Sequence, residues 1–156
     1  LCKMPKHVLL SNELEDKGKI IAIHCALELF DLAYKINSSL NLRLYRCDLD
    51  ISFKKNKEKY MVYKSSESEK GLSVWLYSNS FIDSNLNKTS QLLFSEEAVE
   101  RSLMPEFPKV DYLLKLIGEE KFLKPFLKSI SLINEVSSCY LVQENKIKSK
   151  NNLIFD

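Results

Sequence analysis

From residue 19 to 25 the sequence KIIAIHC is almost unbroken in apolar, β-branched side chains, and from residue 26 the apolar positions switch to a spacing of three and four. The first pattern predicts a strand over 19–25 and the second a helix running to about Leu40. A shorter apolar run over 6–11 precedes the strand, and the polar stretch 12–18 suits a turn, so the two runs are expected to pair. Ala26, Leu29, Phe30, Ala33, Ile36, Asn37 and Leu40 share one helical face, opposed by Glu28, Asp31, Lys35, Ser38 and Ser39. Asp31 and Lys35 have the spacing of an i,i+4 pair, and Asn41 is the expected stop.

Period two returns over 60–65 and 72–78, joined by SESEKG, which predicts an antiparallel hairpin with Leu72, Val74 and Leu76 on one side and Ser73, Trp75 and Tyr77 on the other. A polar loop over 79–91 follows, then a brief strand over 92–94. Ser95, Glu96 and Glu97 carry the chemistry of a helix start, giving a short helix to Ser102 that Pro105 stops. A strand over 109–117 places Val110, Tyr112, Leu114 and Leu116 on one face and ends at Gly118. Phe122, Leu123, Phe126, Leu127 and Ile130 form a second helical stripe. Pro125 costs ~3 kcal/mol in a helix interior, so this helix either begins near Lys121 or is kinked. A final strand is expected over 132–143 and a basic, polar turn over 145–152. Together these describe an α+β fold: a two-layer domain with a mostly antiparallel sheet of about six strands and two main helices on one face.

With 156 residues, 45% of them hydrophobic, the chain fits one domain, taken as 4–156 because Met4 is the first methionine. Folding at this length buries roughly 70% of the unfolded surface, enough to need no metal or disulfide. A net charge of +2 is too small to point to nucleic acid or membrane. Cys2, Cys25, Cys47 and Cys139 are scattered without CxxC or Cys/His clustering and read as free thiols, Cys25 and Cys139 packed among apolar residues. No signal-like segment and no membrane-length apolar run is seen, so the expected location is the cytoplasm.

Three glycines, Gly18, Gly71 and Gly118, cannot assemble GxGxxG or GxxxxGK[ST], and neither GxSxG nor HExxH occurs. His24, inside a predicted strand, reads as structural, and His7 as solvated. Asp48 and Asp50 would project to one side of an extended segment; without further oxygen ligands they suit an exposed strand edge better than a cation site. No catalytic residue, cofactor or metal is therefore expected.

The densest local signal is MPEFPKVDY, 104–112. Pro105 sets a turn and Pro108 holds Phe107 extended, so the segment is stiff and presents Glu106 and Asp111 at defined places. It resembles the signature of a bacterial family, the IPExxxVDY proteins, with Met104 in place of the first isoleucine. IAIHCALELFDLAYKIN (21–37), LYRCDLD (44–50) and SKNNLIF (149–155) extend the resemblance over almost the whole chain. That family has no assigned activity, so the resemblance implies a fold and, weakly, a housekeeping protein partner, but no catalytic residues.

Glu106, Phe107, Asp111 and Tyr112 are the candidate binding residues, weighed against a structural role in which the acids cap loop amides and Phe107 plugs the core. The first functional reading is a non-enzymatic protein-interaction module using this loop and an exposed sheet face or edge, consistent with abundant Tyr, Phe and Trp. The second is an RNA-binding accessory protein, with Tyr60, Tyr63, Trp75 and Tyr77 stacking bases beside Lys54, Lys55, Lys57 and Lys59. Glu58, Glu67 and Glu69 interrupt that charge, and a solvated face with amphipathic aromatics is the plainer reading.

Overall fold

The isoleucines of KIIAIHC build a strand whose side chains are buried on both faces, and the rest of the domain is arranged around it. The computed structural model describes residues 18–53, 58–65, 71–81 and 102–153. Among them the order is β1 (Lys19–Cys25), α1 (Leu29–Leu40), β2 (Leu44–Arg46), β3 (Ile51–Ser52), β4 (Lys59–Tyr60), β5 (Val62–Ser65), β6 (Ser73–Ser78), β7 (Tyr112–Ile117), α2 (Leu123–Ser131) and β8 (Val136–Leu141). A six-stranded sheet runs β2-β5-β6-β7-β1-β8 with every neighbouring pair antiparallel, while β3 and β4 form a separate ladder. This is the expected α+β architecture.

Alternation across the pleat divides the interior into two. Ile21 and Ile23 of β1, Val74 and Leu76 of β6, and Leu114 and Leu116 of β7 meet Leu29, Leu32, Ala33 and Ile36 of α1 and Leu123, Phe126 and Ile130 of α2. Both helices thus lie on one face. On the other face Ile20, Ala22, Val62, Trp75, Tyr77 and Leu113 are covered by Ile51 and Tyr60 of the β3–β4 ladder, by Leu103, Met104, Val110 and Val142 from irregular chain, and by Leu153 from a 3-10 turn.

Several local expectations are corrected by this arrangement. Residues 6–11 and 82–101, with the strand and short helix expected there, lie outside the described residues; both edges of β1 are already filled, by β7 and β8. Helix α1 starts at Leu29 rather than Ala26, so its buried arc is Leu29, Leu32, Ala33 and Ile36, and Phe30, about 100° round the axis, is exposed. Lys35 reaches Glu135 at 2.7 Å rather than Asp31, joining α1 to the turn before β8. Asn41 does end the helix, at φ 53°, donating its N–H to the Asn37 carbonyl.

Pro125 conflicts with nothing, because a 3-10 turn over Glu120–Phe122 leads into α2 and places it in the first turn of the α-helix. β7 begins only at Tyr112, and Val110 packs on the face opposite Leu114 and Leu116, since a turn rather than a strand precedes Asp111.

Candidate functional site

Two prolines in MPEFPKVDY each occupy the second position of a tight turn, where their fixed φ is already suitable. Phe107 N–H donates to the Met104 carbonyl at 3.0 Å and Val110 N–H to the Phe107 carbonyl at 3.2 Å, so the turns around Pro105 and Pro108 follow one another directly. Asn79, at the end of β6 and 1% exposed, holds both turns. Its Nδ2 donates to the carbonyls of Phe107 (2.8 Å) and Val110 (2.7 Å), and its Oδ1 accepts from Met104 N–H (2.9 Å). Its backbone accepts from Leu103 N–H (2.7 Å) and donates to the Asp111 carbonyl (3.0 Å). The sequence reading placed Asn79 merely at the start of a polar loop; an amide immediately after a buried strand was the only signal of this role.

The four candidate residues are brought together with partners inside the chain. Glu106 Oε1 accepts from the backbone N–H groups of Lys148 and Ser149, each at 2.7 Å, and Oε2 accepts from Ser149 Oγ at 2.8 Å. Partial burial alone would raise its pKa, but these donors, with the Ser149 amide foremost, outweigh it and hold the carboxyl below the usual range. Asp111 Oδ2 accepts from Cys25 N–H at 2.9 Å while its own N–H donates to the Ile23 carbonyl at 3.2 Å, prolonging the β1–β7 ladder where a bulge sets Cys25 opposite Val136.

Tyr112 Oη donates to the Leu27 carbonyl at 2.6 Å, tying β7 to the loop that enters α1. Burial, with Glu28, Cys25 and Asp111 nearby, pushes its phenol up to about 12. Phe107 is half-buried against the irregular face of the core rather than fully plugged into it. Asn152, unnoticed in the sequence, adds a 2.8 Å bond to the Leu103 carbonyl.

Three of the four aromatics argued for base stacking are interior, Tyr60, Tyr77 and Trp75 being 1%, 0% and 9% exposed, while Tyr63 is half-buried. Trp75 lies parallel to Tyr77, and Lys64 Nζ sits 4.5 Å from the Trp75 ring centroid. Lys54, Lys55 and Lys57 lie outside the described residues. Asp50 is bonded by Arg46, and among the described residues no group of three or more His, Cys, Asp or Glu has metal-holding proximity. His24 stacks on Tyr140, with ring centroids 5.8 Å apart. Cys25, Cys47 and Cys139 are free thiols; burial raises all three, Cys139 to about 11, so none is an activated nucleophile.

The two edges of the sheet are finished differently. At β2 the register turns the N–H and C=O of Leu44 outward, and Asn37 satisfies both, accepting from Leu44 N at 2.8 Å and donating to Leu44 O at 3.1 Å. That strand is three residues long and carries Arg46, both features that discourage further pairing. At the other edge β8 has six residues, VSSCYL, with no charge, proline or glycine. Val142 N–H donates to the Ile20 carbonyl, and Tyr140 and Ser138 keep the same phase opposite Ala22 and His24, so the backbone groups of Cys139 and Leu141 point away from the sheet. Among the described residues nothing pairs with them. Tyr140 and Leu141, 43% and 38% exposed, project on opposite faces of this edge.

Compared with protein-family models, curated proteins and solved structures, the chain matches none.

Proposed function

We propose that the chain is a non-enzymatic protein-interaction module of the IPExxxVDY type, working in a reducing compartment, whose contact element is the β8 edge. The observation that carries this reading is an uncharged six-residue edge strand whose outward backbone groups meet no partner among the described residues, flanked by an exposed Tyr140 and Leu141. Such an edge is a template onto which another chain adds a strand by main-chain hydrogen bonds. The signature residues support the reading from within. Glu106, Asp111 and Tyr112 use their polar atoms to hold the domain together, so recognition falls to the edge rather than to the loop. Free thiols at Cys25, Cys47 and Cys139 accord with a reducing compartment, and no helix among the described residues is long and apolar enough to cross a membrane. The RNA reading is the weaker, because three of its four stacking aromatics, Tyr60, Trp75 and Tyr77, are covered.

The test is affinity capture with the tagged full chain, with and without nuclease, alongside Leu141→Pro. Proline at 141 deletes an outward N–H and leaves the ladder to β1 intact. A nuclease-resistant partner lost in Leu141→Pro, with melting temperature unchanged, is the expected result. A partner retained by that variant, or recovery of RNA alone, would overturn the proposal.

A further inference from the structure

We infer that the cleft between α1 and the end of α2 binds a neutral, polyhydroxylated ring, a hexose sugar or a cyclitol. The cleft holds about 300 Å³, the lower end of the range for small-molecule sites. It opens where the second half of α1 passes the end of α2 and the residues that follow it. Ser38, Ser39 and Ser129 line it, and their short side chains leave space that longer ones would fill between the helices. None of the lining residues belongs to β8, so this site is separate from the sheet edge.

The lining combines two chemistries. Apolar surface comes from the Tyr34 ring and from Leu132, each 71% exposed. Hydrogen-bonding capacity comes from groups that both donate and accept. The Ser38 hydroxyl donates to the Tyr34 carbonyl at 3.1 Å and keeps its acceptor side. Among the described residues nothing engages the hydroxyls of Ser39 and Ser129 or the side-chain amide of Asn134, which also line the cleft. A sugar ring has the same two characters: a C–H face that packs on an aromatic ring, and hydroxyls round its edge that donate and accept.

Charge decides against an ionic ligand. Lys35 lines the cleft, and its Nζ lies 2.7 Å from Glu135 Oε1, so the ammonium is compensated on the spot. Glu135 Oε2 is buried and accepts no hydrogen bond. Because the two oxygens share one carbon, Oε2 lies within about 5 Å of that ammonium. A buried acceptor without a donor is destabilising. The residue as a whole is only half-buried, so a modest turn of its carboxylate brings Oε2 to a hydroxyl bound beside Lys35. A ligand ammonium would supply the donor only against the repulsion of Lys35, and a ligand carboxylate would supply none.

The probes are glucose, galactose, mannose and myo-inositol as neutral rings, glucosamine and glucuronate as charged ones, and cyclohexanol as a ring without the hydroxyl edge. Binding to the full chain is followed by amide NMR titration. At least one neutral ring is expected to shift the amides of Ser38, Ser129 and Asn134 with a millimolar dissociation constant, and the charged rings and cyclohexanol to bind less well. A disaccharide that binds more tightly than its monosaccharide would place the source in a glycan rather than a free sugar. Tyr34→Ala and Ser39→Leu, both at exposed positions, should weaken the neutral ring about tenfold with the melting temperature unchanged. Glu135→Gln leaves Lys35 uncompensated and should move the preference to glucuronate.

Absence of shifts at about 50 mM of every neutral ring, or shifts confined to another part of the chain, would overturn the inference. Equal binding of cyclohexanol would overturn it by showing an apolar groove, and tighter binding of glucosamine or glucuronate to the unaltered chain would overturn the neutral ligand. Full affinity in both Tyr34→Ala and Ser39→Leu would overturn the cleft as the site.

Discussion

The two faces of the six-stranded sheet are closed by different physics. On one, α1 and α2 lay continuous apolar stripes against Ile21, Ile23, Val74, Leu76, Leu114 and Leu116. On the other, irregular chain covers Ile20, Trp75, Tyr77 and Leu113, and it is held by side-chain bonds: Asn79 to the signature turns, Glu106 to Lys148 and Ser149, Asn152 to Leu103, and Tyr77 Oη to the Leu153 carbonyl at 2.8 Å. Helices satisfy their own backbone groups and need only apolar contact to stay in place. Irregular chain does not, so a buried covering loop requires a donor or acceptor for each amide and carbonyl it brings inside. The lesson is that the signature's polar residues work as a backbone substitute on the face that α1 and α2 do not cover.

This contrast can be broken first at Asn79. Asn79→Ala should cost about 4 kcal/mol, because it strands the Met104 amide and the Phe107 and Val110 carbonyls, and each unsatisfied buried group costs ~1–3 kcal/mol. Amide exchange should rise at Leu103, Met104 and Phe107 and remain slow in α1. A loss under about 1 kcal/mol by urea unfolding would show that apolar contact, not hydrogen bonding, closes this face.

Leu32→Ala, at a fully buried position of α1, makes the reciprocal test. It should cost about 3 kcal/mol through lost burial and the cavity left behind, and it should leave exchange in the signature turns unaltered relative to the rest of the domain. Loosening of those turns ahead of global unfolding would mean that the two faces are not separately supported.

The smallest effect is expected at Glu106→Gln, about 1 kcal/mol at neutral pH for a part-exposed charged acceptor. Its sign with pH sharpens the comparison. The folded carboxyl titrates below its ordinary value, so its contribution is present above the unfolded pKa and is lost as pH falls through the folded one. Stability curves of the wild type and Glu106→Gln should therefore converge on acidification. Curves that stay parallel through the acid range would show that Glu106 contributes shape alone.

Legibility differed between the faces for the same reason that their physics differs. The strand over 19–25 and the helix ending at Asn41 were read nearly to the residue, because apolar period is a local property. The stiffness of MPEFPKVDY was also visible, since proline acts on its own backbone. Its partners were not: Asn79 lies 25 residues before Met104, and Ser149 lies 43 after Glu106, distances over which composition carries no phase. Phe30 and Tyr140 show the same limit among apolar residues, for exposure depends on which helix or strand arrives alongside.

By itself, then, the sequence determined the strand over 19–25, the hairpin of β5 and β6 and the two helical stripes, because periodicity and proline chemistry operate within a few residues. The tertiary structure alone decided that β1 lies between β7 and β8, that Glu106 and Asp111 spend their oxygens inside the chain, and that β2 is closed by Asn37 while, among the described residues, nothing pairs with the outer side of β8. Those outcomes depend on backbone groups meeting across the sheet, and a backbone hydrogen bond leaves almost no mark on the identity of the residue that makes it.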